Sequence, residues 1–115
     1  MRQVSNIYKA LSDQSRVRIL FMLKEKPLCV CEMVDILKLA NSTVSKHLSI
    51  LRNTNLIIDQ KDGRWVNYRL ATSTESEHIN TILPQLDNWL TDDVTIKQDR
   101  EAVKAVDRTI ICASD

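Results

Sequence analysis

The residues best suited to chemistry in this 115-residue chain are its three cysteines: Cys29 and Cys31 within Leu28-Cys-Val-Cys-Glu-Met-Val-Asp35, and Cys112 near the C-terminus. Thiolate binds soft ions better than imidazole or carboxylate, and a helix N-terminus lowers a thiol's pKa toward the ligating form. Positions i and i+2 of a helix point about 200° apart, so one ion could take both sulfurs only if the first helical turn gave way. Two other readings use the same residues: a redox-active pair, or two small residues at the core edge flanking a buried Val30. No phosphate loop, paired acid or nucleophile with a base is visible, and two histidines, His47 and His78, do not build one. The chain is not expected to be an enzyme.

With 43% hydrophobic and 27% charged residues, the chain has the composition of a single globular domain spanning 1–115. A core this small is readily enlarged by burying an apolar face against a second copy, so a homodimer is expected. There is no signal-like start and no apolar run of the ~20 residues that span a bilayer, which points to the cytoplasm and away from a membrane partner. An odd number of cysteines also argues against a secreted disulfide framework. The net charge of +1 hides an asymmetry: residues 1–70 carry twelve Lys/Arg against six Asp/Glu, and residues 71–115 four against nine. A basic body with an acidic tail suits a protein that meets a polyanion with one face.

The elements that must position the cysteines follow from periodicity. Val4, Ile7, Tyr8 and Leu11 mark one helix face, and Ser12-Asp13 caps a second helix over Gln14–Lys24, with Arg18 in solvent. Pro27 precedes a short helix over Cys31–Leu39. Asn41 is the expected N-cap of a fourth helix reaching about Thr54, with Val44, Leu48 and Leu51 inward and Ser42, Thr43, Ser45, Lys46, Ser49 and Arg52 outward. Two β-rich runs meet at Asp62-Gly63, a type I′ hairpin signal that uses the only glycine in the chain. Thr74 and Glu77 have capping-box spacing before a helix that Pro84 kinks, and Thr91-Asp92-Asp93 can cap another.

This order predicts a mainly α fold with a small β-hairpin, a winged helix-turn-helix. Its second turn helix would present Ser42, Thr43, Ser45, Lys46 and His47 to the major groove. Lys61, Arg64 and Arg69 of the wing would meet phosphates or the minor groove. His47, beside buried Leu48, could instead hydrogen-bond the helix frame. A winged helix serving only to dock protein is the alternative.

Leu11-Ser-Asp-Gln-Ser-Arg-Val-Arg-Ile-Leu20, Asn41-Ser-Thr-Val-Ser-Lys-His-Leu48, Leu51-Arg-Asn-Thr-Asn-Leu56 and Asp62-Gly-Arg-Trp-Val-Asn-Tyr-Arg-Leu70 together resemble the ArsR/SmtB family of metal-responsive repressors. The resemblance implies a homodimer joined through its first and last helices, about residues 3–12 and 75–110. It implies binding to an operator of inverted-repeat symmetry, and release when an effector binds. Asn55 stands where the family usually has glycine, and asparagine is the next-best residue for a left-handed helix end.

The family's zinc-type site on the last long helix has no counterpart in His78 and Trp89. Its Cys-x-Cys site resembles Cys29-Val30-Cys31. Arsenite and antimonite take three sulfurs; the third cysteine of family members with this pattern falls at Val34 here, leaving Cys112 or a small-molecule thiol. Cadmium and lead sensors of the pattern add cysteines from an N-terminal extension, and none precedes residue 29. As(III) or Sb(III) is thus the expected effector, with cadmium, lead or a redox signal as alternatives and no permanent cofactor.

Overall fold

The computed structural model describes residues 1–111. The described chain runs α1 (Arg2–Leu11), α2 (Gln14–Glu25), β1 (Leu28–Cys29), α3 (Val30–Leu37), α4 (Asn41–Asn53), β2 (Ile57–Asp62), β3 (Trp65–Leu70), α5 (Ile79–Trp89), α6 (Val94–Ala105) and α7 (Arg108–Ile111). This is a winged helix-turn-helix flanked by N- and C-terminal helices. None of its helices is long and apolar enough to cross a membrane.

Asp13 ends α1 and starts α2: its carboxylate accepts the amides of Ser15 at 2.8 Å and Arg16 at 3.3 Å. α2 is the central helix, burying Ile19 through Leu23 in succession, because α4, β3 and α6 pack around it. The core continues through Ile7, Leu28, Met33, Leu37, Val44, Leu48, Leu51, Leu56, Ile57 and Val103. Arg18, expected in solvent, instead makes a bidentate pair with Asp99 at 2.8 and 2.9 Å. Asp99 is only 4% exposed, so this pair fastens α6 to α2.

Three boundaries differ from expectation. α3 begins at Val30, with Cys29 as its N-cap in extended conformation (φ −92°, ψ 170°). α4 is capped by Ala40, and Asn41 is its first residue, because Lys38 adopts a left-handed conformation (φ 58°) that closes α3 early. α5 starts at Ile79 rather than on a Thr74–Glu77 box, since Glu75 turns back to take the Thr72 amide and the Arg69 guanidinium.

The wing is a three-stranded antiparallel sheet ordered β1-β3-β2, not a bare hairpin. Leu28 pairs with Tyr68 and Cys29 with Asn67, while Asp62 pairs with Trp65 across the turn. The central turn residues are therefore Gly63 and Arg64. Of these only Gly63 has positive φ (62°), the pattern of a type II′ turn and not the expected I′. Asn55 has the left-handed conformation expected of it (φ 64°). Thr54 supports it, donating to the Leu51 carbonyl at 2.6 Å and accepting from the Leu56 amide.

Candidate thiol site and nucleic-acid interface

Cys29 owes its place to two elements at once. It is the last residue of a strand hydrogen-bonded to β3 and the cap of α3, so its backbone is extended and its side chain is not held on the far side of a helix from Cys31. The two Sγ atoms lie 3.3 Å apart. The expectation that a helix keeps them 200° apart is thus overturned: only Cys31 is inside the helix. Their approach therefore needs no unwinding of α3.

The Cys29 amide donates to Glu32 Oε1 at 2.9 Å, half of a capping box with cysteine in the place of serine. Glu32 is a carboxylate only 3% exposed, and the same Oε1 accepts Arg108 Nη2 at 2.9 Å. Burial pushes the Cys29 thiol above its ordinary pKa, and the Glu32 carboxylate adds to that. A hydrogen bond from the Glu32 amide and the Arg108 charge oppose the shift without reversing it. The helix terminus therefore does not deliver a ready thiolate, contrary to the sequence expectation.

The pair opens into a cavity of about 230 Å³ walled by Cys29, Val30, Cys31, Asn41, Arg64, Trp65 and Val66. One wall is thus the first turn of α4 and another the tip of the wing. The Arg64 guanidinium lies 4.7 Å from the Trp65 ring centre and that of Arg108 5.3 Å. Among the described residues no three His, Cys, Asp or Glu side chains are grouped to hold a metal ion. Cys112 lies outside the described residues. Val34 is part of the packed α3 face.

Ser42, Thr43, Ser45, Lys46, Ser49 and Arg52 are all exposed along α4, and Val44, Leu48 and Leu51 are fully buried, as the periodicity predicts. Lys61 and Arg64 are exposed on the wing. Arg69 is not available to a phosphate, because both its Nη atoms are taken by Glu75 at 2.7 and 2.9 Å. That pairing, with the Thr72 amide, lowers Glu75 to about 2.

His47 is half-buried, and its Nδ1 lies 3.1 Å from Arg16 Nη1. Arginine only donates, so Nδ1 is an acceptor and the proton of the neutral ring is on Nε2. Arg16 also donates to the α1 carbonyls of Ala10 at 2.7 Å and Lys9 at 3.2 Å. One guanidinium thus ties the end of α1 to α4. Sequence spacing gives no signal for a contact 31 residues apart, and Arg16 and Arg108 were both missed as parts of the site.

Comparison with known proteins extends this picture. Residues 13–59 match the bacterial regulatory proteins of the arsR family. The arsenical resistance operon repressor of Escherichia coli K12 is 39% identical over 66 residues, covering 56% of this chain and 56% of that protein. The chain therefore spans little more than half the length of that relative. The arsenic resistance transcriptional regulator ArsR2 of Pseudomonas putida KT2440 is 33% identical over 91 residues, covering 76% of this chain and 79% of that protein. Among solved structures, HlyU from Vibrio cholerae N16961 superposes with a TM-score of 0.67 at 26% identity, covering 79% of this chain and 95% of that one. The two curated relatives are named as a repressor and a transcriptional regulator. By sequence and by fold, the chain belongs to the arsR family of bacterial regulatory proteins.

Proposed function

We propose that this chain is a homodimeric, sequence-specific repressor that acts on DNA in the cytoplasm. It leaves its operator when As(III) or Sb(III) is taken up by Cys29, Cys31 and Cys112. Ser42, Thr43, Ser45, Lys46 and His47 enter the major groove, and Lys61 and Arg64 hold the flanking phosphates. The observation that carries the effector reading is the 3.3 Å approach of two sulfurs inside a cavity whose walls are the start of α4 and the wing. With sulfur bonds of about 2.3 Å, a tetrahedral ion holds two thiolates roughly 3.8 Å apart, whereas an ion with bond angles near 90° holds them roughly 3.3 Å apart. Cys31 is disulfide-bonded in this structure, and once it is reduced a spacing near 3.3 Å suits the pyramidal ion.

Support for Cys112 as the third ligand comes from reach. Arg108 is pinned to Glu32 beside Cys29, and Cys112 follows four residues later, so a sulfur from the same chain can meet the pair. In protein reduced by an added thiol or phosphine, each As–S bond forms as As(OH)3 gives up a hydroxide and the cysteine thiol its proton, which leave together as water. No net proton is released, so a protonated, buried Cys29 is no obstacle. An occupied cavity then separates the first turn of α4 from the wing, and about 1.4 kcal/mol of differential affinity weakens operator binding tenfold.

The test is a titration of the operator complex with sodium arsenite, under full reduction, for wild type and for Cys29→Ser, Cys31→Ser and Cys112→Ser. Release of the wild type and retention of the complex by all three variants is expected. Release by cadmium alone, or by a thiol oxidant alone, replaces the effector, and an unaffected Cys112→Ser removes that ligand. Equal binding to scrambled DNA would return the fold to a docking role.

A further inference from the structure

The wing and the thiol cavity share a component that effector chemistry does not require. Glu32 caps α3, but a neutral glutamine could accept the Cys29 amide equally well, so the cap alone does not explain a buried carboxylate paired with Arg108. Arg108 is itself held in place: Asp107 accepts both the amide and the hydroxyl of Thr109, at 2.9 and 2.6 Å, fixing the turn that starts α7. From there the Arg108 guanidinium offers Nη2 to Glu32 and lies against the Trp65 indole at the root of the wing turn. Trp65 also carries Arg64, one of the two wing cations that the proposed function assigns to the flanking phosphates. A planar guanidinium can use its edge for a carboxylate and its face for an aromatic ring together, which a lysine ammonium cannot.

We propose that Arg108 is a positioning residue that couples the thiol cavity to the wing, holding Glu32 and the capped start of α3 in register with Trp65 and Arg64. A change at Cys29 moves the amide on Glu32 Oε1, the carboxylate moves the guanidinium, and the guanidinium resets Trp65. The link between Glu32 and Trp65 exists without any effector. Its use as a release signal rests on the thiol reading above.

The experiment uses full-length reduced protein labelled with 5-fluorotryptophan, with the Trp65 resonance assigned by Trp65→Phe, and a duplex selected by this protein from a random pool. Without effector, Glu32→Gln, which keeps the cap, is expected to shift the Trp65 fluorine resonance and weaken duplex binding. In an Arg108→Lys background the same substitution is expected to do neither. Equal effects of Glu32→Gln in both backgrounds, or no shift of Trp65, overturn the coupling. With sodium arsenite, Arg108→Lys is expected to bind the ion while the ratio of duplex affinities without and with arsenite falls about fivefold or more. A ratio equal to that of wild type overturns it too. Should the wild type ignore arsenite, the effector reading fails, and the coupling is decided by the effector-free arm alone.

Discussion

A thiol kept protonated by burial separates neutral effectors from cationic ones. As(OH)3 condenses with protonated thiols and loses water, while Cd2+ must displace a proton from every sulfur it binds. With Cys29 held above its ordinary pKa, arsenite affinity measured by competition is expected to stay nearly level from pH 6 to 8. Cadmium affinity should rise by about tenfold per pH unit for each thiol deprotonated. A steep arsenite profile would mean that the thiolate form is the acceptor. His47 admits an equally local test. Asparagine at position 47 can place an oxygen near the Nδ1 site and keep the Arg16 bond, and glutamine can reach the Nε2 site. His47→Asn is expected to weaken operator binding about tenfold while His47→Gln loses little. The reverse ranking, read from duplex titrations, would assign His47 to holding α1 against α4. Of this site, the paired cysteines and the polar face of α4 were legible as spacing. Arg16 and Arg108 were not, because a contact between distant segments leaves no period in the sequence.

Among the elements, those closed by local chemistry are the ones the sequence announces. Asp13 caps α2 and Asn55 takes the left-handed turn because each has a side chain or backbone freedom that the position demands. β1 leaves no period in the sequence, being two residues long and existing only by pairing with β3, and that pairing makes Cys29 the extended N-cap from which α3 starts at Val30. The wing turn came out with Gly63 at its first central position, so its tolerance can be stated. A Cβ at Gly63 meets nothing within 4 Å, and the penalty of Gly63→Ala is therefore backbone strain alone, about 1 kcal/mol, visible in chemical unfolding. Gly63→Asn should cost less. The link between α2 and α6 carries more. Asp99→Asn leaves a part-buried guanidinium without its carboxylate, and about 2 kcal/mol of destabilisation is expected, short of a fully buried pair because Arg18 retains contact with solvent. A loss below about 0.5 kcal/mol would mean that α6 is held by Ile96 and Val103 alone.

At the scale of the molecule, the positions that periodicity assigned to a buried face are not all buried by one chain. On α1, Ile7 is covered while Tyr8 remains 68% exposed, and Trp89 at the end of α5 is 69% exposed. Val4 and Val94 are also exposed. Leu11, Leu86, Trp89, Leu90 and Ile96 line a cavity of about 320 Å³ between these same helices. An apolar face shared by the first and the later helices is what a two-fold partner would cover. Trp89→Asp puts a carboxylate into that face without touching the cysteines or α4. The variant is expected to keep its helical circular dichroism and to sediment as a monomer at concentrations where the wild type is a dimer. Its operator binding should fall by about 10² or more, since two linked half-sites gain by effective concentration what one cannot. Arsenite should still bind the monomer, because the proposed sulfurs belong to one chain. If dissociation removed arsenite binding as well, the third ligand would have to come from the other subunit, and the reach of Cys112 from Arg108 would not be the reason for its place in the sequence.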